Sequence, residues 1–183
     1  MTSIAVTSVG DVNEETLEKI QQHLRGALHC ETRRILKSPR PEFAFDHKRM
    51  QYNSSLIMRD LLHHPCGETT KLLALTEVDL FIPMLSFVFG QAQLNGNIAI
   101  VSQARLHQEF YALPPNRDLL FIRTIKEVMH EIGHAYGLIH CINQDCPMSL
   151  STTIQQLDKK GSLYCQNCTA LLKESKQSPS LDV

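Results

Sequence analysis

Apolar residues in the N-terminal part of the chain alternate between short β-branched runs and helical repeats. The first run is SIAVTSV, residues 3–9, which is typical of a β-strand. Asp11 and Asn13 follow as candidate helix N-caps. Four apolar residues then recur at the spacing of an amphipathic helix: Leu17, Ile20, Leu24 and Leu28. The order continues with a strand over TRRILKS and a helix over QYNSSLIMRDLLHH.

Three more apolar runs of strand length follow in the middle of the chain. They are KLLALTEVDLF, SFVFGQAQ and NIAIVSQ. A turn with Asn95 and Gly96 separates the last two, and an Asn-Gly pair between apolar runs is a strong hairpin signal. We therefore expect one of these strands to run antiparallel to its neighbour.

A long helix is predicted to begin near Arg117, after the loop ALPPN. Its core-facing residues are predicted from their three- and four-residue spacing to be Ile122, Ile125, Met129, Ile132 and Tyr136. The polar segment at residues 173–183 is expected to be a flexible tail.

Composition and charge limit the classes of protein to which this chain can belong. A chain of 183 residues with 43% hydrophobic and 20% charged residues has the composition of one globular domain. The net charge of −1 gives no global reason to expect nucleic acid or a membrane surface as a partner. Neither a signal-peptide pattern nor a membrane-spanning apolar run is seen in the sequence. We therefore expect a cytoplasmic protein, whose six cysteines are metal ligands or free thiols.

A catalytic metal site is indicated by residues 130–141, HEIGHAYGLIHC. Four residues span about 400° of an α-helix, so His130 and His134 project from one face and can reach a single ion. Gly137 can adopt a positive φ and end the helix, which lets the chain bring His140 to the same ion. Three imidazoles leave an open position on zinc for water, as catalytic sites do.

Glu131 is the candidate general base, because a carboxylate beside the first ligand can reach a metal-bound water. The alternative is a helix that carries solvated surface histidines. That alternative is serious for an isolated HExxH pattern, but the added glycine and third histidine favour the metal site.

Four cysteines form two pairs in the last quarter of the chain: Cys141, Cys146, Cys165 and Cys168. Four thiolates close a tetrahedral zinc site that stabilises a fold and has no open position for catalysis. Two unconnected pairs, or redox chemistry at the second pair, are the alternatives. A nucleic-acid zinc module is disfavoured because no basic cluster surrounds these cysteines.

The combination of HEIGHAYGLIHC, CPM and CQNC closely resembles the archaemetzincins, a branch of the metzincin zinc peptidases. TEVDLFIPMLSFVFGQAQ and NIAIVSQARL are similar to that family's central strands, so the resemblance covers roughly residues 70–168. It implies an α/β fold with a twisted, mostly parallel sheet, one antiparallel edge strand, helices behind the sheet and an active-site helix. A single catalytic domain would span residues 1–172, with an upper part at 1–137 and a small zinc-bound C-terminal subdomain at 138–172.

The resemblance also implies roles for individual residues. The three histidines would bind catalytic zinc, Glu131 would be the base, and the four cysteines would bind a second, structural zinc. Met148 would be the methionine of the Met-turn, an apolar floor beneath the catalytic zinc. HPCG at residues 64–67 is similar to the cysteine switch of secreted relatives, but its place inside the domain favours a free thiol at Cys66.

The implied reaction is peptide-bond hydrolysis by a zinc-activated water. The expected substrate is a peptide or protein bound in extended form to the edge strand near Asn95. A zinc-stabilised peptide-binding protein with little turnover is the alternative. No tyrosine follows Met148, where SLST stands, so a tyrosine of that turn is not expected to stabilise the oxyanion.

Overall fold

The computed structural model describes residues 3–63 and 70–177. The strands in these ranges are β1 (Ser3–Val9), β2 (Glu31–Arg34), β3 (Phe45–Asp46), β4 (Gln51–Asn53), β5 (Thr70–Thr76), β6 (Leu80–Phe81), β7 (Gly90–Ala92) and β8 (Ile98–Ser102). The α-helices are α1 (Glu14–Leu28), α2 (Ser54–Leu61), α3 (Arg117–Ala135), α4 (Ile154–Lys159) and α5 (Gln166–Gln177). The stretch HPCG and the end of the tail, 178–183, lie outside the described residues.

The main sheet has five strands in the order β2-β1-β5-β8-β7. The first four are parallel, and β7 pairs antiparallel with β8, with Gly90 opposite Val101. This confirms the mostly parallel sheet with one antiparallel edge strand, and it identifies β7 as that strand. Asn95, in the predicted turn between β7 and β8, has a φ of 52°. A second, three-stranded sheet has the order β3-β4-β6.

Alternate residues of the parallel strands feed two cores on opposite faces of the sheet. Ile4 and Val6 of β1 lie in the core that α1 and α3 cover, whereas Ala5 lies in the core that α2 covers. The predicted apolar residues of α1 are all buried in the first core. Full burial of such a side chain contributes about 1.5–3 kcal/mol. Helix α3 contributes Ile125, Met129 and Ile132 to the same core and is therefore fixed against one face of the sheet.

Several boundaries predicted from the sequence were wrong. Residues 51–53 form β4 instead of the first turn of a helix, because the Asn53 side chain accepts hydrogen bonds from Ser55 N and Leu56 N and starts α2 there. In the run SFVFGQAQ only Gly90–Ala92 form a strand. Ile122 was wrongly placed in the core and is 47% exposed.

The chain after α3 contributes two short helices and the loops that join them. Helix α5 continues through Gln177, so it includes the first five residues of the segment expected to be a tail. Helix α4 packs against α3 through Arg123, whose guanidinium makes two bonds to the Asp158 carboxylate, at 2.8 and 2.7 Å. Within the described residues no helix has the length and apolar character that crossing a membrane requires.

Candidate metal centre and active site

The first two histidines of the predicted site lie one turn apart on α3. Their Nε2 atoms face each other at 3.1 Å. Ligand nitrogens about 2.0–2.1 Å from a tetrahedral zinc would be roughly 3.3 Å apart, so the spacing of His130 and His134 fits a shared ion. The helix places both rings on the side that faces the C-terminal part of the chain.

His140 reaches this pair because α3 ends sharply. Gly137 has a φ of 88° and donates from its backbone N to His134 O, while Leu138 N donates to Gly133 O. These two bonds form a Schellman motif, which closes the helix and reverses the chain. The ring centroid of His140 then lies 5.4 Å from that of His130 and 5.0 Å from that of His134. One ligand atom from each of the three side chains lies within 4.8 Å of the other two.

The rings of His130 and His134 are oriented by backbone carbonyls. His130 Nδ1 donates to Pro147 O, and His134 Nδ1 donates to Leu138 O, both at 2.7 Å. These bonds leave each Nε2 free of a proton and pointing at the shared position. Burial, aided by Lys160, lowers the pKa of His130 to about 3, and burial also lowers the pKa of His134. Neutral imidazoles are the form that binds metal.

Glu131 lies beside this cluster, between α3 and the edge strand β7. Its side chain is buried, and a Cβ placed on Gly90 would be 2.6 Å from Glu131 Cγ and 2.8 Å from its Oε1. Only glycine leaves space for the carboxylate at this point of the strand. Burial raises the pKa of Glu131 well above its usual range, and Glu127, one turn earlier on α3, adds to the shift.

Met148 lies directly beneath the active-site helix. It is fully buried, and a Cβ on Gly133 would be 2.3 Å from Met148 Sδ. The thioether therefore packs against the α3 backbone between the first two histidines. Cys141 N donates to Met148 O at 2.9 Å, so the turn that carries Met148 is also bonded to the start of the cysteine cluster.

The four predicted cysteines meet in one cluster, with ligand atoms within 4.8 Å of one another. Cys141 Sγ lies 3.8 Å from Cys165 Sγ, which joins a member of one pair to a member of the other. Sulfurs about 2.3 Å from a tetrahedral zinc are roughly 3.8 Å apart, so the donor set fits zinc. The backbone N–H of Cys168 lowers the pKa of the Cys165 thiol to about 7, whereas burial raises the pKa values of the Cys146 and Cys168 thiols.

Three further residues that the sequence reasoning did not select hold the site together. Lys160 Nζ donates to Pro147 O at 3.1 Å, and Tyr164 Oη donates to Met129 O at 2.6 Å. The carboxyl of Glu127 bonds to that of Glu131. Glu127 has a signal in the sequence, since it lies one turn before the base. Lys160 and Tyr164 are 29 and 33 residues beyond Glu131, and nothing in their spacing marks them.

Known proteins share both the sequence and the fold. The family model of peptidase family M54 matches residues 57–174. An archaemetzincin of Methanocaldococcus jannaschii is 44% identical over 172 residues, 93% of each chain. The crystal structure of an archaemetzincin from Methanopyrus kandleri superposes with a TM-score of 0.84 at 32% identity, covering 97% of this chain and 96% of the other.

A second solved structure, a zinc-dependent peptidase from Methanocorpusculum labreanum, superposes with a TM-score of 0.83 at 30% identity. It covers 92% of this chain and 99% of the other. Identity and fold agree over nearly the whole length of each relative. The chain therefore belongs to peptidase family M54, with the archaemetzincins, and it is a zinc-dependent metallopeptidase.

Proposed function

We propose that His130, His134 and His140 hold the catalytic zinc of this peptidase and that Glu131 is its general base. One observation carries the proposal: three histidine nitrogens converge within 4.8 Å beside a buried carboxylate at the edge of a sheet. The donor set supports zinc, because it consists of three imidazoles, and two of them, His130 and His134, have their Nδ1 atoms bonded to backbone carbonyls.

Zinc bound at the three histidines would supply a water of pKa about 7 and would polarise the scissile carbonyl. Glu131, whose ionised form a zinc at the histidines would favour despite its burial, would take a proton from the attacking water and pass it to the leaving amine. Gly90 gives the Glu131 carboxylate space against the edge strand, so that substrate and base meet at the same place. The buried surroundings of Glu131 also keep bulk water from its carboxylate.

The edge strand β7 is the proposed platform for an extended peptide. Its backbone pairs on one side with β8, and a substrate strand would pair on the other side. The turn after β7 is bonded to the active-site helix, since Asn95 N donates to His134 O at 2.9 Å. This bond holds β7 close to the histidine cluster. A peptide paired with β7 would therefore have its scissile bond near the zinc.

The cysteine cluster is proposed to hold a second zinc, so that each chain binds two ions. Four thiols in reach of one ion leave no position for substrate, and the role of this zinc is to stabilise the fold. Thiols kept for metal binding suit a reducing compartment, and we place the protein in the cytoplasm. A zinc-stabilised binding protein without turnover is the less favoured function, because a binder has no use for the buried Glu131.

Metal quantification combined with a peptide-library cleavage assay tests the proposal. We expect freshly purified protein to contain two zinc ions per chain and to cleave library peptides at internal or terminal bonds. Removal of the histidine-bound zinc should stop cleavage, and added zinc should restore it. Fully metal-loaded protein that binds peptides and cleaves none would overturn the assignment of a working catalytic site.

A further inference from the structure

The backbone carbonyl of Pro147 accepts two hydrogen bonds from opposite parts of the site. One comes from His130 Nδ1 at 2.7 Å, and the other comes from Lys160 Nζ at 3.1 Å. Pro147 lies between Cys146 and Met148, in the turn under the active-site helix. The position of this carbonyl therefore decides how the His130 ring is turned.

Lys160 is itself held firmly. The residue is 4% exposed, its backbone N donates to Leu157 O at the end of α4, and the next residue, Gly161, donates to Asp145 O at 2.7 Å. Its side chain is thereby directed inward from a fixed backbone. A lysine this deeply buried is rare in proteins unless other groups compensate its charge.

The compensating groups belong to the active-site helix. Glu127 and Glu131 are the carboxylates that interact electrostatically with the Lys160 ammonium. Lys160 thus bonds to the carbonyl that orients a histidine and interacts electrostatically with the two carboxyls that include the proposed base. Loss of its ammonium would free the Pro147 carbonyl on one side and leave two buried carboxyls without their cation on the other.

We propose that Lys160 is a positioning residue for the histidine site, whose ammonium fixes the Pro147 carbonyl that orients His130. The inference rests on the proposed zinc role of His130. It connects the histidine site to the C-terminal part of the chain, because Lys160 lies there, next to the loop of the cysteine cluster.

Lys126 provides a matched control. It is also a buried lysine, 7% exposed, and its Nζ donates to two carbonyls of α4, Leu157 O at 3.3 Å and Asp158 O at 2.8 Å. Its replacement removes a buried ammonium and two hydrogen bonds without touching Pro147. A purely structural role for buried lysines in this region would make the two positions equivalent.

The test compares Lys160→Met, Lys160→Arg and Lys126→Met, each with the cysteine cluster loaded. The measurements are the zinc dissociation constant of the histidine site, from competition with a chelator, the absorption spectrum of cobalt(II) bound there, and kcat and KM separately. We expect Lys160→Met to weaken zinc binding roughly ten- to a hundredfold, the scale of lost contacts to a ligand's other nitrogen. Its cobalt spectrum should shift and kcat should fall more than KM rises.

Lys160→Arg should restore part of the zinc affinity, and Lys126→Met should lower the melting temperature without changing that affinity. The inference would be overturned if Lys160→Met bound zinc as tightly as the parent. It would also be overturned if Lys160→Met and Lys126→Met lost zinc affinity equally. If Lys160→Met does not fold, Lys160→Gln is measured in its place with the same two outcomes. Parent protein that binds no zinc at the histidines would instead contradict the proposed function.

Discussion

The histidine cluster and the cysteine cluster are neighbours in the chain but differ in what they leave open. His140 and Cys141 are adjacent residues, yet one belongs to a three-donor site beside Glu131 and the other to a four-donor site. Three donors leave zinc a position for water, whereas four donors leave none. We infer that one short segment, 140–148, helps to build both the proposed catalytic site and the cluster that supports it, because it carries His140, Cys141 and Cys146.

The two clusters are also joined through space. The Met148 carbonyl accepts a bond from Cys141 N, while the Met148 thioether packs on α3. Tyr164, which precedes Cys165, donates to Met129 O on the same helix. Because these contacts reach α3 at Met129, next to His130, and at Gly133, next to His134, we regard the cysteine cluster as an outer support of the histidine site.

Apart from a change of Glu131 itself, the largest effect should come from removing the space beside this proposed base while leaving both clusters intact. In Gly90→Ala the new Cβ would meet Glu131 Cγ, Glu131 Oε1 and, at 2.8 Å, the Ile100 carbonyl. A displacement of the base by about 1 Å should lower kcat/KM about a hundredfold, with both zinc sites filled. The measurement is peptide hydrolysis together with metal content.

Gly26→Ala is the control for this substitution, because a Cβ at that position of α1 meets nothing within 4 Å. It should leave hydrolysis unchanged. Full activity in Gly90→Ala would mean that Glu131 does not need its place against the edge strand.

A smaller effect should follow from opening the cysteine cluster. Replacing Cys165 or Cys168 with serine should weaken zinc binding at the distant histidines and activity roughly ten- to a hundredfold, the usual scale for damage to supporting contacts. Zinc titration and circular dichroism of the variants measure this, since unfolding would imitate it. Cys30→Ser, outside the cluster, should change neither quantity. Folded serine variants with full affinity at the histidines would show that the two sites are independent.

The smallest expected effect is on stability and concerns His107, whose pKa is shifted in the opposite direction to those of the histidine cluster. The hydrogen bond to Glu77 raises the pKa of His107, whereas burial lowers the pKa values of the three histidines of the cluster. A raised folded-state pKa means that the pair stabilises the fold fully below about pH 6.5, the pKa of the unfolded chain. That stability is lost as the pH rises through the higher folded-state pKa.

The parent and His107→Gln should therefore differ in unfolding free energy most at about pH 5–6, by a few tenths to about 1 kcal/mol for such a partly exposed pair. The difference should shrink toward pH 9, where His107 is neutral in both states. Denaturant unfolding across this range measures it. A difference that grows with pH would show that the Glu77 contact does not favour protonated His107.

The residues of the two clusters could be predicted from the sequence, whereas the residues that support them could not. The shared face of His130 and His134 follows from helical geometry, because residues four apart on a helix lie one turn apart, and Glu131 follows from its place beside the first of them. The turn at Gly137 and the hairpin at Asn95 follow from the conformations those residues favour. These are local rules, and the structure places each of these residues as they predict.

What was missed depends on contacts between distant parts of the chain. Position 90 requires glycine because the Glu131 side chain of α3 occupies the space beside it. Lys160, which follows α4, reaches the Pro147 carbonyl because α4 packs on α3. The error at residues 51–53 has this cause in part: Asn53 marks the start of α2 locally, but the strand before it depends on pairing with β6. A single sequence carries no periodicity that reports such pairings.

Replacement of Glu131 with glutamine isolates the role of this carboxylate, because it alters the proposed base and neither set of proposed ligands. Hydrolysis, zinc content and circular dichroism are measured on the same preparation. We predict that the variant keeps its fold and the zinc of both clusters while kcat falls about a hundred- to ten-thousandfold, the usual contribution of a positioned base. A glutamine variant that cleaves peptides as fast as the parent would contradict the assignment of Glu131 as the base. It would also contradict the assignment of the histidine cluster as catalytic and the cysteine cluster as structural.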